Sequence, residues 1–257
     1  MFPRSTGQPQ NRRRYGRIVG EAFLWGAIGA SALLVGALIA YIWNPSRHLI
    51  AIVMALGAGL LLGSVAFELI DEAVQSAEVT RVGIVTLIGA MTFTVGNWIL
   101  EKRGAGKRKD SGGAQATGNP LAIVFGSVLD GIPESFVLGL TVMEGAVSTS
   151  LLVGILLSNL PEGMSSSAGL RVVGWSRNRV LGMWAIVMVA SAIAAALGYA
   201  LLDPASGRTG ADAQAFAAGA LITMCADTLL PEAFEVEGIL TGSLVAIGFA
   251  LSIVMSA

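Results

Sequence analysis

The sequence predicts an all-α integral membrane protein with eight transmembrane helices. Of its 257 residues, 54% are hydrophobic and 13% are charged, which is about half the charged fraction of a soluble domain. Its apolar runs are long enough to cross about 30 Å of hydrocarbon. The runs lack the polar–apolar alternation of barrel strands, so we expect the spans to be helical.

Taken in chain order, the predicted spans are 21–43, 49–70, 82–100, 120–142, 147–170, 180–202, 212–234 and 238–256. A polar, arginine-rich tail over 1–20 precedes the first three helices (21–100), and a basic, Gly/Ser-rich segment over 101–119 separates them from helices 4–8 (120–257). We expect that segment to be a flexible loop. The net charge of -1 argues against nucleic acid as a partner.

Lysine and arginine predict the orientation of these spans. The connections at 44–48, 101–119 and 171–179 share one side and carry nine of these residues, against two in the connections on the other side. The positive-inside rule then places the 101–119 loop in the cytoplasm and both termini outside, in a prokaryotic cell membrane. The five arginines of the N-terminal tail oppose this assignment.

Two internal repeats relate the predicted helices. Residues 58–73 match 218–233 at an offset of 160, and residues 126–135 match 154–163 at an offset of 28. The first pair lies in the second and seventh spans, which cross in opposite directions, so it predicts an inverted repeat of the kind found in transporters. Composition is the alternative explanation, because helices rich in Ala, Gly and Leu match often by chance.

Helices 4 and 5 each carry a proline in an apolar run, in LDGIPESF (129–136) and SNLPEGMS (158–165). A proline inside a helix cannot donate its backbone hydrogen bond, and its ring displaces the carbonyl four residues earlier. Pro133 therefore loosens the carbonyl of Leu129, and Pro161 loosens that of Leu157. In lipid such a carbonyl needs a partner, and a cation is one.

Polar side chains surround both prolines. Asp130 and Glu134 share one helix face, as do Ser158 and Glu162, with Asn159 beside them. If the two helices pack through these faces, three carboxylates and two further oxygen-bearing side chains converge near mid-membrane. No Lys or Arg lies between 120 and 170, so a divalent cation is the simplest compensation for the buried charge.

Three other interpretations remain. The acids can be structural, either lining a water-filled cavity beside proline kinks or forming hydrogen bonds between helices in protonated form. They can also form a pathway for protons alone. An intramembrane enzyme can use the same acids as acid–base groups. That last interpretation explains neither the paired motifs nor the repeat.

The paired motifs resemble those of the ZIP (Zrt/Irt-like) family of divalent metal transporters, which read H-N-x-P-E-G in the fourth helix and H-x-x-P-E-G or similar in the fifth. Here the chain reads D-G-I-P-E-S at 130–135 and S-N-L-P-E-G at 158–163. The resemblance implies eight helices in a 3+2+3 organisation with metal between helices 4 and 5. It also implies a mobile bundle that slides against helices 2, 3, 7 and 8, a homodimer, and no enzymatic activity or cofactor.

The chain departs from the family pattern at several positions. Asp130 replaces the fourth-helix histidine, Gly131 the following asparagine, Ser135 the final glycine, and Ser158 the fifth-helix histidine. Family roles therefore transfer to Glu134, Asn159 and Glu162. Because the site is all-oxygen, we expect Mn²⁺ and Fe²⁺ to be accepted better than in His-bearing relatives, with Zn²⁺ and Cd²⁺ also substrates. A ZIP-like protein that does not transport metal, or that carries protons, is the alternative.

Other acids lie in or near the apolar runs. Glu68 and Asp227 are candidates for a transport pathway, or for acids bonded to a neighbouring hydroxyl such as Ser64 or Thr223. We expect His48 to be an interfacial residue. Cys225, the single cysteine, rules out an intramolecular disulfide. We expect a solvated mouth around the acids near helix ends: Asp71, Glu72, Glu232, Glu235 and Glu237.

Overall fold

A computed structural model describes residues 9–43, 45–105, 120–143, 147–201 and 207–256. Within these ranges the chain forms eight continuous helices and no strand. Helices with a single regular segment are α1 (Pro9–Ile42), α4 (Pro120–Met143), α5 (Thr149–Val172), α6 (Arg177–Leu201) and α8 (Leu240–Met255). Helices with a π-helical stretch are α2 (Arg47–Ser64, Val65–Ile70, Asp71–Ser76), α3 (Val79–Leu100, Glu101–Ala105) and α7 (Gly207–Met224, Cys225–Leu229, Leu230–Glu237).

Six of the described helices are long and apolar enough to cross a membrane: α1, α2, α3, α4, α6 and α7. The apolar helix α8 is shorter, and α5 carries the row of polar residues that lowers its hydropathy. The chain is therefore an all-α membrane protein, as its composition predicts. That all eight helices span the membrane stays a prediction.

Several helices extend beyond the predicted spans, and two of them reach into the predicted tail and loop. Helix α1 begins at Pro9, so part of the predicted polar tail is helical, since proline suits the first turn of a helix. Helix α3 extends to Ala105 and includes Gly104 at φ 95°, a left-handed conformation that glycine adopts without strain. The rest of the predicted flexible loop, 106–119, lies outside the described residues.

The helices pack in two groups. In the first, α1 packs on α5 and α6, and α4 packs on α6; in the second, α2 packs on α8 and α3 packs on α7. Helices α2 and α5 form the most extensive contact between the groups. The first group, α1, α4, α5 and α6, contains both proline motifs.

Helices α2 and α7 share local structure at the offset of the first sequence repeat. Their π-helical stretches begin at Val65 and Cys225, which are 160 residues apart. The helices run in opposite directions, since the start of α2 contacts the end of α7. The direction and the π-helical register both agree with the predicted inverted repeat.

The same offset recurs in close helix contacts. A Cβ on Gly59 of α2 would overlap the Val245 carbonyl of α8, and a Cβ on Gly219 of α7 would overlap the Thr86 carbonyl of α3. Glycine therefore allows two backbones to touch at equivalent positions of the two halves, as is common between membrane helices.

Candidate functional site

Three carboxylates are buried in helices α4 and α5. Asp130 is 2% exposed, Glu134 1% and Glu162 3%, whereas the buried side chains of the described residues include no Lys, Arg or His. Burying an ionised carboxylate is costly unless charge or hydrogen bonds compensate it. These acids therefore form the most demanding electrostatic feature of the described chain.

A hydrogen bond joins the two proline helices at this level. Ser158 Oγ of α5 lies 3.0 Å from Glu134 Oε1 of α4 and 3.0 Å from the Ile155 carbonyl oxygen. A serine hydroxyl has one proton, so it donates to the carboxylate or to the carbonyl at any moment. The predicted pairing of the Ser158 and Glu134 faces is present.

Asn159 faces another helix. Its Nδ2 atom donates to the Gly29 carbonyl of α1 at 3.2 Å. One residue rotates a helix by about 100°, so the neighbour of Ser158 is directed away from α4. No hydrogen bond between Asn159 and the carboxylates is seen among the described residues in this conformation, in which Asn159 anchors α5 to α1. Its role as a metal ligand stays a prediction.

The predicted convergence of three carboxylates is likewise not seen in this conformation. Among the described residues, no three side chains of His, Cys, Asp or Glu are grouped so that they hold a metal ion. Helices α4 and α5 meet at Glu134 and Ser158, but α4 packs mainly on α6, and α5 mainly on α1 and α2. The spacing of four residues fixed the faces of Asp130 and Glu162 but not the separation of the helices.

Both prolines lie inside continuous helices. The Leu157 carbonyl, which Pro161 loosens, lies against Gly57 of α2, where a Cβ would come within 2.5 Å of the oxygen. This carbonyl is therefore packed against the backbone of α2, in the contact between the two helix groups.

Along the bundle axis, the Glu134–Ser158 contact has apolar side chains on one side and acidic side chains on the other. On one side Leu138, Leu151 and Ile155 are buried in a continuous apolar core. On the other side lie Asp130 and Glu162. We call the side of Asp130 and Glu162 the loop end, where α1, α3, α5 and α7 end and α2, α4, α6 and α8 begin.

Two serines and Glu232 are further polar residues toward the loop end, and of these sequence reasoning missed Ser127. Ser127 lies two turns from Glu134 on the same face of α4, is 1% exposed, and its hydroxyl has no hydrogen-bond partner among the described residues. Ser165, two turns from Ser158, donates to Glu232 of α7. Glu232 is half-buried, and a solvated mouth around it stays a prediction. Both serines lie seven residues from a motif residue, Ser127 from Glu134 and Ser165 from Ser158, so this spacing of two helical turns is the signal in the sequence that indicates them.

The pathway candidates have different surroundings. Glu68 is half-buried, and its Oε1 atom accepts a hydrogen bond from Ser256 of α8 at 2.9 Å. Neither of the predicted hydroxyl partners is involved, since Ser64 bonds to Ser150 and Thr223 to the Gly219 carbonyl. Asp227 is exposed on the π-helical stretch of α7.

The histidine lies at the loop end of the bundle. His48 is 73% exposed, and its Nδ1 atom lies 2.7 Å from Glu237 Oε1 at the end of α7. The exposure agrees with an interfacial residue. The contact holds the start of α2 to the end of α7.

No protein-family model matches the chain, and a search of curated proteins finds no match. The resemblance to the ZIP family therefore stays a prediction that depends on the two motifs and on the pattern of helices.

Proposed function

We propose that the chain is a ZIP-type transporter that carries divalent metal ions across a membrane. The substrate, Zn²⁺, Mn²⁺, Fe²⁺ or Cd²⁺, would bind between α4 and α5 through Asp130, Glu134, Ser158, Asn159 and Glu162. One observation carries the proposal: three carboxylates are at most 3% exposed, while the described residues bury no basic side chain. A divalent cation would add positive charge beside these buried acids.

The donor set supports a metal of hard or borderline character. Carboxylate, hydroxyl, amide and carbonyl oxygens suit manganese and related cations, whereas imidazole favours zinc, copper and nickel. Asp130 stands where a histidine would supply imidazole in the ZIP motif. We therefore propose a site that discriminates less strongly for zinc than a histidine-bearing site does.

Binding requires a change from the described conformation. The carboxylates are not grouped as a metal site, so α4 and α5 would have to close around the cation, with Asn159 contributing its Oδ1 atom. The packing into two helix groups supports a motion of α1, α4, α5 and α6 against the other four. The α2–α5 contact is where that motion would occur.

Further parts of the proposal concern the whole protein. We propose eight membrane spans in a 3+2+3 organisation, with the loop end in the cytoplasm of a prokaryotic cell, the termini outside, and a homodimeric assembly. Alternating helix directions and basic loop-end residues support this orientation. Glu68 would belong to the pathway on the far side of the site from the loop end, and Asp227 is a further pathway candidate.

Uptake of the four metals into proteoliposomes tests the proposal. The wild type is compared with Glu134→Gln plus Glu162→Gln, which keeps side-chain volume and removes two buried charges. The matched control is Glu78→Gln plus Glu235→Gln, which removes two charges from exposed positions. We expect the wild type and the control to take up metal, and the site variant to show uptake reduced at least tenfold. Losing one carboxylate contact of about 1.4 kcal/mol already lowers the affinity for metal tenfold.

The outcomes separate the alternatives. Uptake that survives the site variant would refute a site at these acids. A folded wild type that moves no metal but moves protons would favour a proton-coupled ZIP-like protein. Absence of both fluxes would leave a non-transporting protein and contradict the proposed function.

A further inference from the structure

Basic side chains stack on tryptophan rings at the loop end. Lys102 Nζ lies 3.7 Å from the ring centre of Trp98 at the end of α3, and Arg179 Cζ lies 3.8 Å from that of Trp175, just before α6. Both cations are exposed, and the Trp98 side chain is 53% exposed. Cation–π attraction at such distances holds a flexible cation in one place.

The second of these pairs is fixed by a hydrogen-bonded group that joins three helix ends. Tyr41 Oη at the end of α1 donates to the Trp175 carbonyl at 2.8 Å. Arg171 at the end of α5 donates to the Ala40 carbonyl at 3.0 Å and lies 5.9 Å from the Tyr41 ring centre. The position of Trp175, and so of the cation on it, is therefore preorganised.

Charge is distributed unevenly between the two ends. Basic side chains described at the loop end are Arg47, Lys102, Arg103, Arg171, Arg177 and Arg179, against the acids Glu101, Glu232, Glu235 and Glu237. At the opposite end the described acids are Glu21, Asp71, Glu72, Glu78 and Asp212, against Arg17 and Arg81. Among the side chains that the structure describes, the loop end therefore carries a net positive charge and the opposite end a net negative charge.

We propose that the loop end binds anionic phospholipid headgroups, with Lys102 and Arg179 as the phosphate-binding side chains. Tryptophan concentrates at the membrane–water interface, which places Trp98 and Trp175 at headgroup depth. Each stacked cation keeps its N–H donors, because an ammonium has three and a guanidinium five. The positive surface complements an anionic leaflet. This inference is independent of metal transport.

Lipid binding to the purified full chain tests the proposal, with phosphatidylglycerol and phosphatidylcholine as the two probes and retained lipid counted by native mass spectrometry. We expect the wild type to prefer phosphatidylglycerol. Lys102→Gln and Arg179→Gln should each weaken phosphatidylglycerol binding about fivefold, because each removes the attraction of one basic residue to an anionic surface. The double variant should weaken it roughly 25-fold, since two such residues are lost. Arg17→Gln, an exposed arginine at the opposite end, is the matched control.

A further variant separates preorganised binding from bulk charge. Trp98→Leu keeps every charge but removes the ring under Lys102, and should weaken phosphatidylglycerol binding while leaving phosphatidylcholine retention unchanged. Equal retention of the two lipids by the wild type would overturn the proposal. So would a loss in Arg17→Gln as large as that in Arg179→Gln. Circular dichroism of each variant verifies that the helices are intact.

Discussion

Gly57 offers a direct test of how the site is held. Its α-carbon on α2 faces the backbone of α5, and a Cβ built there lies 2.5 Å from the Leu157 oxygen, 2.6 Å from the Leu157 carbonyl carbon and 2.8 Å from the Ser158 nitrogen. Ordinary contact begins near 3.4 Å. Gly57→Ala therefore forces α2 and α5 about 1 Å apart at the residue that contacts Glu134.

The expected magnitude follows from two opposing terms. Overpacking a well-filled interior costs about 1–3 kcal/mol, and alanine recovers about 0.5–1 kcal/mol over glycine in a helix. We expect a net loss of about 1–2 kcal/mol in the free energy of unfolding. The displaced Ser158 should also weaken metal binding, because its hydrogen bond to Glu134 is 3.0 Å long and lengthens with the shift.

Reversible unfolding in mixed micelles measures the free energy, and titration with Mn²⁺ measures binding. Gly83→Ala in α3 and Gly182→Ala in α6 are matched controls, because a Cβ at either position meets nothing within 4 Å. Both should be neutral or more stable by up to about 1 kcal/mol. If Gly57→Ala behaves like these controls, the tight α2–α5 contact and the reasoning from it are wrong.

Three further predictions use other features. Gly59→Ala and Gly219→Ala should each lower the free energy of unfolding by about 1–3 kcal/mol, since both methyl groups meet a neighbouring carbonyl; a large difference between them would count against the repeat. Asp130→His should shift competitive uptake toward Zn²⁺ over Mn²⁺, because it replaces an oxygen donor with imidazole, and an unchanged ratio would exclude Asp130 as a ligand. Thr241→Val should raise the thermal midpoint, because the buried Thr241 hydroxyl has no partner among the described residues and leaving it unsatisfied costs about 1–3 kcal/mol; a lower midpoint would reveal an unseen partner.

The apolar runs were sufficient to predict most helices. The run at 49–70 predicts α2 (Arg47–Ser76), and the run at 180–202 predicts α6 (Arg177–Leu201), since lipid leaves a backbone no hydrogen-bond partners except its own. Periodicity also predicted that Asp130 and Glu134 share one helix face and that Ser158 and Glu162 share another. These features are local, so the order of residues decides them.

The sequence could not predict in the same way which residues of other helices each side chain contacts. Asn159 bonds to α1, Ser165 to Glu232 of α7, and Glu68 to Ser256. Each of these contacts depends on which helix is adjacent and how closely its backbone approaches. Small residues such as Gly57 set that approach, and a glycine in the sequence does not show what lies against it.

The sequence by itself predicted the helices, the helix faces of the buried acids and the repeat at an offset of 160 residues. Only the tertiary structure decided that α4 and α5 meet through Glu134 and Ser158, while among the described residues the three carboxylates are not grouped as a metal site. Helix periodicity fixes the direction of a side chain around its own axis. The distance between two axes is set by close packing of all the surrounding helices, which is a property of the whole bundle.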